Sequence, residues 1–173
     1  DLTHWLDLSV VYGSDKELTK SLRSNKGGRL KVFSEETEST SDDLMPADTE
    51  LVMRGGFFEG VGFLAGDERV SEQDALAAQH TLWVRNHNRI AEDLSVFHPK
   101  WNDKRLFERA RQINIAQYQR VVMDEWLPQQ IGDISEYQGY DAKETPQISD
   151  EFNAAGFRFG HSQTGNKIEK IDS

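Results

Sequence analysis

The chain has 173 residues, of which 36% are hydrophobic and 29% charged, and its formal net charge at pH 7 is −10. This length is typical of one domain that buries a core of its own. The excess of acidic side chains argues against the phosphate backbone of a nucleic acid as a partner. No run of about 18 apolar residues is present, so we predict no transmembrane helix.

The N-terminal residues, the cysteine content and the glycosylation sequons are the features that indicate processing and cellular compartment. Residues 1–14 begin without methionine and lack the basic and apolar regions of a signal peptide. We therefore expect a processed chain or a fragment. There is no cysteine, which excludes disulfides and thiolate metal sites, and there is no Asn-x-Ser/Thr sequon. Neither feature indicates a compartment.

Two segments before the first long helix are predicted to be irregular. Residues 34–50 are acidic, rich in hydroxyl side chains and poor in apolar ones, which indicates a mobile loop. Residues 54–66 contain five glycines and three phenylalanines, which is consistent with tight turns packed on a core.

Three helices follow in chain order, and they make the predicted fold class mainly α with little β. The first should begin near Ser71, as N-cap, and end before His98-Pro99. Its buried stripe should be formed by residues spaced three or four apart: Leu76, His80, Trp83, Val84, His87, Ile90, Ala91 and Leu94. The second should run over 103–126 and stop at Pro128, and 129–147 should be loop. The third should start at Ser149 or Asp150 and reach His161.

The N-terminal residues carry a possible cation-binding pattern. Thr3, Trp5, Asp7 and Ser9 alternate and offer hydroxyl, backbone carbonyl and carboxylate oxygens, which are the hard donors that Ca²⁺ prefers. Taken alone, this spacing is more typical of one face of an extended segment.

A second pattern is the pair Arg69 and Glu72, three residues apart where the first long helix should begin. Side chains with this spacing lie on the same side of a helix, and the helix N-terminus favours the carboxylate. By spacing alone, the pair is best interpreted as a surface ion pair of little energetic consequence.

Three histidines complete the candidates. His80 and His87 are two helical turns apart, about 10.5 Å, which is too far for both to bind one metal. Both are therefore interpreted as core or boundary histidines with satisfied hydrogen bonds. His161 follows a segment that contains Phe152, Phe157 and Phe159, where it would suit an axial haem ligand. A lone histidine in such a place is more often structural.

Together and in this order, these patterns resemble the animal haem peroxidase family of peroxidasin, lactoperoxidase and myeloperoxidase. Residues 3–14 (THWLDLSVVYGS) are similar to its calcium loop and V-Y-G-S signature, and residues 63–69 (FLAGDER) to its G-D-x-R segment. Residues 80–91 (HTLWVRNHNRIA) are similar to its H-T-x-x-x-R-E-H-N-R helix, and residues 155–162 (AGFRFGHS) to the segment of its proximal histidine. The resemblance implies that residues 1–173 are the central part of a single haem peroxidase domain.

The resemblance also implies roles for individual residues. Arg69 matches the distal catalytic arginine, Glu72 the glutamate that forms an ester with haem b, and His161 the proximal iron ligand. The calcium ligands would be the four residues of the first pattern: Thr3, Trp5 through its carbonyl, Asp7 and Ser9. The implied partners are hydrogen peroxide, small electron donors and the remainder of the domain, in an extracellular or secretory compartment.

The chain departs from the family pattern at several points. Gln73 stands where myeloperoxidase has a haem-linked methionine, which excludes a sulfonium link. Asn86 replaces the glutamate of the R-E-H-N-R helix. The distal histidine would precede residue 1, and the asparagine that orients the proximal histidine would follow Ser173. We therefore expect the 173-residue chain to be inactive, or nearly so, without these segments.

Two alternatives remain open from the sequence. The first is a non-catalytic, peroxidase-like extracellular or adhesion module, which retention of Arg69, Glu72 and His161 argues against. The second is a relative of fatty-acid dioxygenases or cyclooxygenases, which share the R-E-H-N-R helix. Those proteins lack the G-D-x-R-x-x-E pattern, so this alternative is the weaker one.

Overall fold

The computed structural model describes residues 2–33, 44–46 and 62–165, and within them the fold is mainly α-helical. Two short helices come first, α1 (Ser9–Tyr12) and α2 (Lys16–Ser21), followed by the two long ones, α3 (Asp74–Phe97) and α4 (Asp103–Arg120). In the described part, β-structure consists of isolated bridge residues, among them Arg23 with Leu30 and Phe33 with Leu44. The predicted fold class is confirmed.

The chain divides into two compact units, residues 1–137 and residues 138–173. In the first unit, α3 and α4 pack along each other and α1 contacts α3. The main core contains the following buried side chains: Leu8, Val11, Tyr12, Leu22, Leu30, Met45, Ala65, Val70, Val84 and Phe107. A smaller cluster of Ile90, Ala91 and Ala110 lies further along the two long helices. None of the described helices is long and apolar enough to cross a membrane.

Helix α3 follows the predicted periodicity but begins later than predicted. The N-cap is Gln73, whose side-chain oxygen accepts a hydrogen bond from the Leu76 amide at 2.8 Å. Ser71 is not the cap, because its hydroxyl accepts a hydrogen bond from the Phe63 amide at 2.9 Å and so fixes the preceding loop. The helix ends at Phe97, immediately before His98-Pro99, as predicted.

The second long helix does not stop at Pro128. After α4 the chain forms a π-helix over Val121–Trp126 and then α5 over Leu127–Ile131. Pro128 lies in the first turn of α5, where its missing amide hydrogen has no helical partner to lose. The helical path ends at Gly132, whose φ is 80°, so the predicted loop begins three residues later than expected.

The second unit contains two short helical segments. Ser149 caps α6 (Asp150–Ala154) by accepting a hydrogen bond from the Phe152 amide, which confirms the predicted start. The predicted single helix to His161 is wrong, since Ala155 interrupts it and a 3₁₀-helix spans Gly156–Gln163. The described residues of this unit include no buried side chain.

The two predicted irregular segments lie mainly outside the described residues. Of 34–50, only Leu44, Met45 and Pro46 are described, and Met45 is buried in the main core. Of 54–66, only 62–66 are described. The acidic, mobile loop therefore remains a prediction.

Candidate active site

The oxygen-rich N-terminal segment folds into a compact loop. The Thr3 hydroxyl donates to Asp7 Oδ2 at 2.7 Å and lies 3.4 Å from the Ser9 hydroxyl. Asp7 Oδ1 accepts from the Ser9 amide at 2.9 Å. Three of the four predicted calcium ligands thus bring their side-chain oxygens together. The fourth, Trp5, joins the same loop through its amide, which donates to the Thr3 hydroxyl at 3.3 Å.

This loop is attached to the rest of the first unit on two sides. On one side, Gln119 of α4 donates to the Leu6 carbonyl at 2.9 Å. Burial and the nearby Asp7 carboxylate raise the pKa of Tyr118, one residue earlier in α4. On the other side, Gly66 lies so close that a Cβ there would be 2.3 Å from the Ser9 carbonyl oxygen. Only glycine fits this contact, which joins the loop to the segment that carries Arg69.

Arg69 is held by Asp67 in a two-point contact. Its Nε donates to Asp67 Oδ1 and its NH2 to Asp67 Oδ2, both at 3.0 Å, and its amide also donates to Oδ1. The Asp67 side chain is buried, whereas that of Arg69 is 51% exposed. Burial alone would raise the pKa of Asp67, but the hydrogen bonds and charge of Arg69 lower it overall. The carboxylate therefore stays ionised and fixes the guanidinium.

Glu72 lies in the turn between Arg69 and α3, not on the helix itself. The Glu72 amide donates to the Arg69 carbonyl at 2.9 Å, which places the two residues in one turn. The ion partner of Arg69 is Asp67, so the predicted Arg69–Glu72 surface pair is not the main contact. Glu72 is exposed.

His80 is buried on α3 and uses only one of its ring nitrogens in the described structure. Nδ1 lies 2.8 Å from the Leu76 carbonyl, which can only accept, so Nδ1 carries the proton. Nε2 is then an acceptor, and it is buried without a hydrogen-bond partner among the described residues. Burial lowers the pKa of His80, against the opposing charge of Asp67. The predicted satisfied histidine is therefore only half satisfied.

His87 is fully satisfied, as predicted, and belongs to a buried polar network. Its Nε2 donates to the Gly28 carbonyl at 2.9 Å, so its Nδ1 accepts from the Tyr12 hydroxyl at 2.8 Å. Asn114 Nδ2 donates to the same hydroxyl and to the Trp83 carbonyl. The network connects α1, α3 and α4 through polar groups that are hydrogen-bonded to one another.

Asn86, the departure from the R-E-H-N-R pattern, extends this network to the surface. Its amide nitrogen donates to Asn114 Oδ1 and to Gln117 Oε1, both at 2.7 Å. Its oxygen accepts from Arg89 NH2 at 3.0 Å. A glutamate here would carry no donor for either amide oxygen, so Asn86 is matched to Asn114 and Gln117.

His161 lies in the 3₁₀-helix of the second unit and is exposed. Phe152, Phe157 and Phe159 of this unit are also exposed, with the first two rings 6.4 Å apart. The unit therefore presents apolar and imidazole side chains without a core beneath them.

The structure brings the predicted loop residues and the Arg69–Glu72 turn into one unit and describes His161 in the other. The sequence did not identify Asp67 as a functional residue, although Asp67 stands in the G-D-x-R segment. Tyr12 and Asn114 were also missed, because a polar residue on an apolar stripe shows no partner until the helices are packed. Among the described residues, no three His, Asp or Glu side chains form a metal-binding group.

Comparison with known proteins decides the family. The profile of the animal haem peroxidases matches residues 1–173. The chain belongs to the animal haem peroxidase family. It is 37% identical to peroxinectin A of Dictyostelium discoideum over 97% of the chain, and 38% identical to lactoperoxidase of Mesocricetus auratus over 99%. It spans 32% and 25% of the length of these two relatives.

Solved structures agree with this assignment. Peroxidase A from Dictyostelium discoideum superimposes with a TM-score of 0.81 and 35% identity, covering 91% of this chain and 31% of that one. A fatty acid alpha-dioxygenase from Arabidopsis thaliana gives a TM-score of 0.58 and 27% identity over 72% of this chain and 17% of that one. The peroxidase is the better match in overlap, identity and coverage.

Proposed function

We propose that this chain is the central part of a haem peroxidase domain that uses hydrogen peroxide to oxidise phenolic, halide or pseudohalide donors. The observation that carries the proposal is the Asp67–Arg69 pair, a fixed cation in the family's G-D-x-R segment. Peroxide and small electron donors are the proposed substrates, and the remainder of the domain is the proposed partner. We infer an extracellular or secretory location from the family alone.

Arg69 is the proposed catalytic residue. Its guanidinium has five N–H donors, and Asp67 accepts from Nε and NH2, which leaves donors for an anionic oxygen. Hydrogen bonding to Asp67 raises the pKa of Arg69, so the side chain remains cationic. A fixed cation of this kind stabilises negative charge that develops on a peroxide oxygen as the O–O bond breaks.

His161 and Glu72 are the proposed residues that hold haem b. When bound, haem supplies the redox chemistry of the reaction. An exposed imidazole in a segment with exposed phenylalanines suits an axial ligand next to an apolar macrocycle, and Phe157 and Phe159 stand four and two residues before His161. The exposed Glu72 carboxylate suits an ester link to haem. Both features support the fit of haem to this chain.

The N-terminal loop is the proposed calcium site. The Thr3 hydroxyl lies 2.7 Å from Asp7 Oδ2 and 3.4 Å from the Ser9 hydroxyl, and Trp5 would add its carbonyl. These are hard oxygen donors of the kind that Ca²⁺ takes. Because Ca²⁺ takes six to eight ligands, further oxygens would come from outside these four residues.

Haem reconstitution of the domain, extended at both ends, tests these roles. The parent should show a Soret band and oxidise a phenolic donor in a peroxide-dependent reaction. His161→Ala should abolish the native haem spectrum, whereas Arg69→Ala should keep haem and lose rate, by about 10²-fold or more. His98→Ala, which changes an exposed histidine outside the proposed site, is the matched control and should behave as the parent.

The outcomes separate the proposal from its alternatives. If the extended parent binds no haem, the non-catalytic module is the better account. If haem binds but Arg69→Ala turns over like the parent, the role given to Arg69 is wrong.

A further inference from the structure

A polar cavity of about 660 Å³ lies beside helix α3 and the turn at residues 24–32, and its lining contains none of the residues assigned to haem or calcium above. Its charged lining consists of five basic side chains and one acidic one: Lys26, Arg29, Lys31, Arg85, Arg89 and Glu92. These six side chains carry a net charge of +4, whereas the whole chain carries −10. A quarter of the 20 basic residues of the chain therefore surround one cavity.

The wall formed by the turn is held rigidly against α3. Asn88 accepts from the Leu30 amide at 2.8 Å and donates to the Leu30 carbonyl at 3.2 Å. Leu30 is buried in the main core, while its neighbours Arg29 and Lys31 are exposed. The backbone on which these two cations stand is therefore anchored at the residue between them.

The far side of the same turn is equally fixed. The Ser24 amide donates to the Arg29 carbonyl, and the Lys31 amide donates to the Leu22 carbonyl at 2.8 Å. Gly28 donates to Asp103 at 2.7 Å and has a φ of 71°. A Cβ at Gly28 would be 2.5 Å from the Cβ of Leu106, so this position requires glycine. The turn is thus preorganised before any ligand binds.

Four of the five cations are weakly paired or unpaired within the described part of the chain. Arg29 lies 3.5 Å from Glu92, and both side chains are largely solvated, so the pair contributes little. Arg89 pairs with Asp93 at 3.1 Å, again at the surface. Lys26 and Lys31 form no ion pair in the described part of the chain. At these four cations, an anionic ligand therefore competes with water and with weak surface pairs of the described residues.

We propose that this cavity binds a soluble multivalent oxyanion, that is, a small molecule with two or more phosphate or sulfate groups. Five cations spread around about 660 Å³ match several anionic groups better than one. A nucleic acid is not the occupant, because its extended backbone would meet the acidic remainder of the chain. The proposal does not depend on haem, since none of the lining residues is assigned to the haem site.

Calorimetric titration of the extended peroxidase domain tests the proposal, with and without haem. The two probes are inorganic tripolyphosphate and a sulfated hexasaccharide, which distinguish phosphate from sulfate chemistry. We expect saturable binding of one molecule per chain, similar in both haem states and weaker as ionic strength rises. Binding of only one probe supports the proposal and identifies whether the site takes phosphate or sulfate.

Charge reversal at the two unpaired lysines provides the sharper test. Lys26→Glu/Lys31→Glu should weaken binding at least about tenfold, because it converts two attractive groups into repulsive ones. Lys100→Glu/Lys104→Glu changes the net charge equally at exposed positions outside the cavity and should weaken binding less than about twofold. Circular dichroism should show that both variants keep the helical fold. If the reversal variant does not fold, Lys26→Gln/Lys31→Gln replaces it.

Two outcomes would overturn the proposal. One is the absence of saturable binding by either probe. The other is equal weakening in the two charge-reversal variants, which would indicate general attraction and no defined site. Neither outcome bears on the peroxidase proposal, which is tested by haem binding and turnover.

Discussion

The two units of this chain differ in how far they bury similar side chains. In the first, Phe107 and His87 are almost completely buried and pack against Tyr12, with ring centroids 6.1 Å and 5.4 Å from it. In the second, Phe157 and His161 are exposed. The first unit derives its stability from its own packing, whereas the described residues of the second unit bury no side chain. Four paired substitutions test this difference.

Truncation of a phenylalanine should show the difference in burial between the two units most clearly. Phe107→Ala removes a buried ring from the main core and should lower the free energy of unfolding by about 3–5 kcal/mol. Phe157→Ala, in the second unit, should change it by less than about 0.5 kcal/mol. Chemical denaturation followed by circular dichroism measures both. Equal losses would contradict the contrast between the units.

Acidification should destabilise the chain through His87. Burial lowers the pKa of folded His87 from 6.5 to about 4, opposed by its hydrogen bond to Gly28. Because the pKa of His87 is lower in the folded than in the unfolded state, the stability that neutral His87 contributes is complete above pH 6.5. As the pH falls from 6.5 to 4 the unfolded state takes up the proton first, and the free energy of unfolding falls by up to about 1.4 kcal/mol per pH unit.

The matched variants for this prediction are His87→Gln and His161→Gln. Denaturation at several pH values should show a flatter dependence for His87→Gln between pH 6.5 and 4. The dependence of His161→Gln should follow the parent. If His87→Gln keeps the parent's slope, another group is responsible.

A methyl group at Gly66 should disturb the contact between the candidate calcium loop and the Arg69 segment. A Cβ there would be 2.3 Å from the Ser9 carbonyl oxygen and 2.4 Å from the Gly13 nitrogen. Gly66→Ala should therefore cost about 1–3 kcal/mol in thermal or chemical unfolding. Gly160→Ala has no atom within 4 Å of its Cβ and serves as the control. A tolerated Gly66→Ala would show that the two segments move apart at little cost.

Restoring the family's glutamate at position 86 should have the smallest effect of the four. Asn86→Glu leaves Asn114 Oδ1 without its donor, and an unpaired buried acceptor costs about 1 kcal/mol or more. The loss should shrink when the glutamate is protonated, because a carboxylic acid donates one hydrogen bond. Asn153→Glu, in the exposed helix α6, should be close to neutral. Denaturation at pH 7 and pH 4 compares the two variants, and a stabilising Asn86→Glu would contradict this account of the network.

Helix periodicity and the family motifs were readable from the sequence because they depend on local spacing. The stripe of α3 and its end before His98-Pro99 follow from the 3.6-residue repeat and from the restriction that proline imposes. The start of α3 was less readable, since Ser71 and Gln73 are both able to accept a hydrogen bond. Only the position of Phe63 decides that Ser71 is used elsewhere.

The continuation of the second helix was missed for a related reason. A proline ends a helix where a helical hydrogen bond from its amide would be required. Because the π-helix over Val121–Trp126 comes before it, Pro128 lies in the first turn of α5, where no such bond is lost. Sequence spacing does not show that change of helical pitch. The same limit applies to α6, where Ala155 interrupts the path to His161.

By itself, the sequence determined the helical class and the family and predicted the residues that carry the family's chemistry, because these are properties of residue type and spacing. Only the tertiary structure decided which groups meet. It closes the network from Gly28 through His87 to Arg89 and gathers five cations around one cavity in an acidic chain. The physical reason is that these contacts join residues that packing brings together, and pairwise distances of that kind are set by the whole fold.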